Sequence, residues 1–180
     1  MKSVRKCKVC GVTFHPVYSS LQATCSAPKC ILIHSQKLAS RKSKKELIDL
    51  KVRLKSVSQW RKELQQVFNR YIRERDKLKP CISCGKPLKG KFDAGHYLSV
   101  GSYPNLRFSE DNCFGQCVEC NQHKHGNLIE YSIGILQRIG PARVDRLMEA
   151  RNQPLRLSVE EIKDKISYYK SKIKSNEFNN

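Results

Sequence analysis

Four cysteines in two Cys-x-x-Cys pairs, Cys81/Cys84 and Cys117/Cys120, bracket the run Asp93-Ala94-Gly95-His96, and Asn121 follows the second pair directly. Each pair lets two thiolates reach one tetrahedral zinc at about 2.3 Å, and two pairs fill its coordination sphere with no open position for a substrate. Such a zinc is structural, so any chemistry belongs to the polar side chains it positions. A histidine held beside a metal-binding asparagine is suited to hydrolysing phosphodiesters.

A second set of cysteines stands near the amino terminus, Cys7-x2-Cys10 and then Cys25-x4-Cys30. The layout is that of a small zinc ribbon or knuckle. Its wider x4 pair lies within the usual ligand range, and His34 is an alternative to Cys30 as fourth ligand. The first residues lack the apolar core of a secretory signal, so the chain is expected in the cytoplasm, where paired cysteines serve as metal thiolates rather than disulfides.

The elements that must position these groups can be read around them. The sequence falls into a zinc-binding unit over 1–35, a basic helical arm over 36–79, a core holding the second cysteine set over 80–140, and helices over 141–180. Ser35 to Leu78 contains neither glycine nor proline and permits helix throughout. Within it, Ser56 followed by Gln59 reads as a capping box, and Trp60, Leu64, Val67, Phe68, Tyr71 and Ile72 recur at helical spacing. Pro80 ends that stretch. In the core, residues 81–90 read as a knuckle turn, Lys91 to Leu98 as a strand, Leu106 to Phe108 as the returning strand, and a helix is expected from near Cys117 through Asn121 and Tyr131, with Gly126 as the place for an interruption. Two further helices are expected, Ala142 to Arg151 and one capped by Ser158 and Glu161 that runs to about Lys174.

Charge narrows the partner. Residues 1–80 hold 20 Lys/Arg against 5 Asp/Glu, a balance of +15, within a chain of net +19. So basic a half repels itself unless a polyanion neutralises it, and nucleic acid is the leading partner. Arg61, Arg70, Arg73 and Arg75 are expected on the basic face of the Trp60 helix. His123 and Lys124, just past the last cysteine pair, are expected at phosphate. No lipidation motif and no apolar stretch long enough to span a bilayer is present, which argues against a membrane partner.

Strand, strand and helix around a metal, with a histidine leaving the first strand and an amide on the helix, resembles the ββα-metal or HNH nucleases, with His96, Asn112 and Asn121 in the three characteristic places. The runs Phe92 to Tyr97, Leu106-Arg107-Phe108, Gln116-Cys117, Cys120 to Lys124 and Gly126-Asn127 resemble the phage NinG/Rap recombination endonuclease family more closely. Phe14-His15-Pro16 and Tyr71 to Asp76 fit the same family. Cys25-x4-Cys30 is one residue wider than the family spacing, His125 stands where a small residue is expected, and Cys113 has no part in the motif.

The resemblance implies an α+β fold: a small zinc-stapled ββα-metal core with an amino-terminal zinc ribbon and flanking helices. It implies a structure-specific endonuclease for branched DNA, Holliday junctions and D-loops, in the host bacterial cytoplasm. Two structural Zn²⁺ ions and a catalytic Mg²⁺ or Mn²⁺ are expected. The roles also follow from chemistry: His96 as general base for the attacking water, Asn121 with Asp93 as holder of the divalent cation, and Asn112 tying backbone across the loop to keep His96 aimed. His125 is an alternative to Asp93, because in a continuous helix it would stand one turn beyond Asn121. Symmetric cutting of a four-way junction would need a homodimer, through the Trp60 helix or the carboxyl-terminal helices. The rival readings are a non-enzymatic zinc-containing DNA-binding regulator, and a nuclease for linear duplex DNA or RNA.

Overall fold

Too few apolar side chains are available near the amino terminus to make a core, and cysteine takes that place. The computed structural model describes residues 4–154 and 157–176. They divide into two compact units, one up to Lys55 and one from Ser56 on. Among the described residues of the first, only Cys7, Thr24 and Cys30 are buried. Strand β1 (Arg5–Lys6) pairs antiparallel with β2 (Thr13–Phe14). Helix α1 (Pro28–Arg53) carries Cys30 in its first turn. It begins earlier than the composition change at Ser35 suggests, because proline at a helix start has a preset φ and no missing hydrogen bond.

The second unit is built on α2 (Val57–Asp76), whose capping box at Ser56 and Gln59 forms as expected. Helix α5 (Val159–Ser175) has the same device at Ser158 and Glu161. Trp60, Leu64, Phe68, Tyr71 and Ile72 of α2 meet Ile162, Ile166 and Tyr169 of α5 in one core. A second core joins Ile82 and Phe114 to α3 (Leu128–Ile139) and α4 (Pro141–Ala150) through Tyr131, Ile135, Val144 and Leu147. Close approach of α3 to the cysteine knuckle is what requires Gly134, where a Cβ would sit 1.8 Å from the Ile82 carbonyl oxygen.

Between the two cores lies a two-stranded antiparallel sheet, β3 (Phe92–His96) with β4 (Cys113–Cys117). Side chains alternate across a strand. Ala94 and Cys113 accordingly pack into the α2 core, while Phe114 packs into the α3 core.

Two expectations are corrected here. The returning strand is Cys113–Cys117, not Leu106–Phe108, which lies in and just beyond a 3-10 turn at Pro104–Leu106. Pro104 cannot donate to a ladder, whereas Cys113–Cys117 pairs in register along all of β3. The helix expected from Cys117 through Tyr131 is broken near Gly126, at the place the sequence offered, but its first part is not an α-helix. The chain winds a π-type turn over Glu119–His123, then passes through left-handed conformations at His125, Gly126 and Asn127 before α3 begins. That turn wraps Cys120 around the other thiols, and the Gly126 N–H closes it by donating to the carbonyls of Cys120 at 2.9 Å and Asn121 at 3.1 Å. No helix among the described residues is long and apolar enough to cross a membrane.

Candidate functional site

Both cysteine sets assemble. The sulfurs of Cys7, Cys10, Cys25 and Cys30 lie within 4.8 Å of one another, as do those of Cys81, Cys84, Cys117 and Cys120. Cys30, not His34, completes the first tetrad. Neighbouring sulfurs stand 3.7 Å apart for Cys81–Cys117 and 3.8 Å for Cys84–Cys117 and Cys10–Cys25. A tetrahedron with Zn–S bonds of about 2.3 Å has edges of about 3.8 Å, and a disulfide would bring sulfurs to about 2.05 Å. The donor sets therefore fit zinc, and two cysteine clusters able to hold zinc are present.

The second tetrad ties down everything around it. Asn127 Nδ2 donates to Cys120 Sγ at 3.6 Å. Gln116, one residue before Cys117, is fully buried, and its Nε2 donates to Ser83 Oγ at 2.7 Å and to the Gly126 carbonyl at 2.6 Å, linking both knuckles.

Asp93 and Asn121 come together. Asn121 Nδ2 donates to Asp93 Oδ2 at 3.0 Å, and Gln122 Nε2 donates to the same oxygen at 2.7 Å. Asp93 and Gly95 share a face of β3, so the glycine leaves open the space between the carboxylate and the turn. A Cβ at Gly95 would lie 2.2 Å from Gln116 Oε1 and 3.1 Å from Asn121 Oδ1. Gln116 Oε1 is buried and has no hydrogen-bond partner. Two amide oxygens thus border this spot and Asn121 links it to the Asp93 carboxylate, a set of hard donors suited to a cation such as Mg²⁺ or Mn²⁺. Asn121 meets Asp93, whereas His125 lies beyond the turn in a left-handed conformation (φ 48°), so Asn121 and His125 do not share a continuous helix.

His96 is not beside this group. It pairs in register with Cys113, and its ring packs against the Phe68 ring with centroids 6.3 Å apart, on the α2 face of the sheet. Asn121 and Asp93 occupy the opposite face. The His96 Nε2 stands 2.9 Å from the Arg107 carbonyl, which can only accept, so a neutral ring carries its proton on Nε2 and its lone pair on Nδ1. Nδ1 faces the buried Cys113 Sγ at 3.8 Å. Burial lowers the His96 pKa below its ordinary value, opposed by the bond to the Arg107 carbonyl and reinforced by the Arg107 charge. The imidazole is accordingly neutral at pH 7.

Asn112 is fully buried, and its side chain accepts from the Leu98 N–H at 2.8 Å and donates to the carbonyls of Leu98 at 2.9 Å and Leu106 at 3.3 Å. It ties the loop after β3 to the turn that carries Arg107, and so fixes the carbonyl that orients His96.

Among the candidate DNA contacts, Arg61 and Arg70 are exposed and Arg73 is half-buried. Arg75 does not belong with them. Its side chain is 7% exposed, pairs with Asp76 at 2.8 Å, donates to the Cys113 carbonyl at 2.8 Å and covers the Phe114 ring at 4.8 Å. Asp76 Oδ2 in turn accepts from the Gly115 N–H at 2.8 Å, so the pair fastens β4 to α2. His123 is exposed, whereas exposed Lys124 pairs with Glu119 at 2.9 Å. The residues that sequence reasoning missed are Gln116, Gln122 and Arg107. All three lie in the runs that carry the family resemblance, and strand alternation from Phe114 also places Gln116 opposite Asp93.

A protein-family model described as "Bacteriophage Lambda NinG protein" matches residues 1–178. Protein NinG of Escherichia phage lambda is 39% identical over 190 residues, covering 94% of this chain and 92% of its own. Protein NinG of Salmonella phage P22 is 40% identical over 190 residues with the same coverages. That of Escherichia phage 933W is 39% identical over 186 residues, again covering 94% and 92%. No solved structure matches.

Proposed function

The chain belongs to the NinG family, and on that footing we propose that it is a metal-dependent endodeoxyribonuclease with a zinc-braced HNH-type ββα-metal core. Its substrates are branched recombination intermediates such as Holliday junctions and D-loops. The observation that carries this reading is the meeting of Asp93 with Asn121 at 3.0 Å, beside a buried Gln116 Oε1 that has no hydrogen-bond partner among the described residues. A binding module has no use for such a cluster of oxygens beside a zinc brace.

In this reading Asp93 and Asn121 hold Mg²⁺ or Mn²⁺, with Gln116 Oε1 facing the same spot. The cation would supply positive charge to the phosphoryl oxygens. His96 accepts the proton of the attacking water at Nδ1, because the Arg107 carbonyl occupies the proton on Nε2. Asn112 keeps that carbonyl in place. Since His96 and the Asp93–Asn121 pair occupy opposite faces of β3, the substrate strand must pass around the His96 end of the strand and reach both. The exposed Arg61 and Arg70 would take flanking phosphates, and two copies of the chain would allow both strands of a junction to be cut.

One observation favours a second reading, a DNA-binding protein without hydrolysis. His96 is largely buried and both its nitrogens have neighbours, as a structural histidine would. Labelled four-way junction, linear duplex and single strand, incubated with Mg²⁺, Mn²⁺ or neither, separate the two. The nuclease reading expects cation-dependent cleavage near the branch that falls at least about 10²-fold in His96→Ala. Binding without cleavage of any substrate would replace it with the second reading.

A further inference from the structure

A cavity opens between α2 and the 3-10 turn after Tyr103. It has a volume of about 490 Å³, within the range of small-ligand sites. Arg61, Lys62 and Arg107 stand on its walls with three carboxamides, Gln65, Gln66 and Asn69, and among the described residues no carboxylate lines it. None of the three cations is ion-paired with another described residue.

Part of the wall is already fixed. Gln65 Nε2 donates to Asn69 Oδ1 at 2.7 Å, and Gln65 Oε1 accepts from Arg107 Nη1 at 3.4 Å. The Arg107 guanidinium is therefore held toward the cavity while its carbonyl holds His96. Gln66, by contrast, remains exposed, and the Asn69 amide keeps its own N–H groups free to donate.

We propose that this cavity seats one unpaired nucleotide of a DNA strand, with its phosphate on Arg61, Lys62 and Arg107 and its base against Gln66 and Asn69. Unpaired cations without a competing acid select phosphate. Amides, which both donate and accept, suit base edges that do the same. A paired nucleotide could not enter, because in a duplex the bases are stacked inside and only a convex backbone is offered; a concave site takes a base that has left the stack. A D-loop has such bases in its displaced strand, so the inference rests on the DNA reading above and deepens it. It places the unpaired nucleotide on the same face as His96 and one residue from it through Arg107.

The test uses the full zinc-loaded chain without added Mg²⁺ or Mn²⁺, so that binding is read apart from cleavage. Fluorescence anisotropy compares a labelled oligo-dT strand with a blunt hairpin duplex. Wild type should prefer oligo-dT. The double variant Arg61→Gln/Lys62→Gln should lose at least about tenfold in oligo-dT affinity, with a log-log salt slope shallower by about 1.4. Gln66→Leu removes an amide from the base wall and leaves every charge; losing a hydrogen bond of about 1 kcal/mol should cost about fivefold with the slope unchanged. The control Arg146→Gln/Arg151→Gln removes two charges elsewhere on the surface and should lose less than either. Oligo-dT binding by Gln66→Leu equal to wild type, or a loss no greater than the control's in the double variant, would overturn the proposal. Failure of cleavage with these binding results intact would remove the nuclease reading and leave the cavity's role standing.

Discussion

Gly95→Ala asks whether the space between β3 and the turn at Asn121 is built for function. The new Cβ would lie 2.2 Å from Gln116 Oε1 and 3.1 Å from both Gln116 Cβ and Asn121 Oδ1. Ordinary contact begins near 3.4 Å, so the amide must retreat by roughly 1 Å. A free glutamine would swing away at little cost. Gln116 cannot, because its Nε2 is held at 2.7 Å by Ser83 and at 2.6 Å by Gly126, and its own Cβ is also crowded. Losing one or both buried hydrogen bonds costs about 2–4 kcal/mol. Asn121 is pushed from Asp93 in the same step. Urea unfolding of the zinc-loaded protein should show that loss, and cation-dependent cleavage should fall by at least about tenfold, more than stability alone explains. Stability within about 0.5 kcal/mol of wild type together with unchanged cleavage would refute the reasoning.

Other outcomes follow from single side chains. Arg75→Ala strands Asp76 in the core and should cost about 3–5 kcal/mol, measured by urea unfolding, whereas exposed Arg70→Ala should stay within about 0.5 kcal/mol and weaken only DNA binding. Asn112→Asp keeps the acceptor for the Leu98 N–H but turns a carboxylate toward two carbonyls; the variant should be destabilised by about 3 kcal/mol or more in the same assay. For His96 the folded pKa lies below the unfolded value of about 6.5, so below that pH the unfolded chain binds a proton that the folded chain refuses. Stability should therefore decline as pH falls below about 6.5 and level off beneath the folded pKa. His96→Gln should show a smaller decline between about pH 7.5 and 5.5 than wild type, with Phe68, Cys113 and Arg107 unchanged around the ring.

Local chemistry was the most legible part of the sequence. Ser56 with Gln59, and Ser158 with Glu161, fix their helix starts within four residues, and the cysteine tetrads are dictated by what one metal can accept. Selection among similar residues along a helix was not legible. Arg61, Arg70, Arg73 and Arg75 read alike in sequence, yet Arg75 is drawn inside because Asp76 follows it and the Cys113 carbonyl needs a donor. The returning strand was misplaced because Cys-Phe-Gly-Gln-Cys lacks the β-branched residues that mark strands, and pairing with β3 supplies the preference instead. For the site, the meeting of Asp93 with Asn121 was anticipated, while the face of His96 was not. Four residues that are close in sequence, Asp93 to His96, end on two sides of one sheet, and only the register of β3 with β4 decides which.

The central claim is that Asp93 and Asn121 hold a cation that cuts DNA. The measurement that tests it most directly is Mn²⁺-dependent cleavage of a labelled four-way junction by Asp93→Asn beside wild type, with zinc content determined on both. The account predicts two zinc ions per chain in each protein and cleavage lower by at least about 10²-fold in the variant. Equal cleavage at equal zinc content would contradict it.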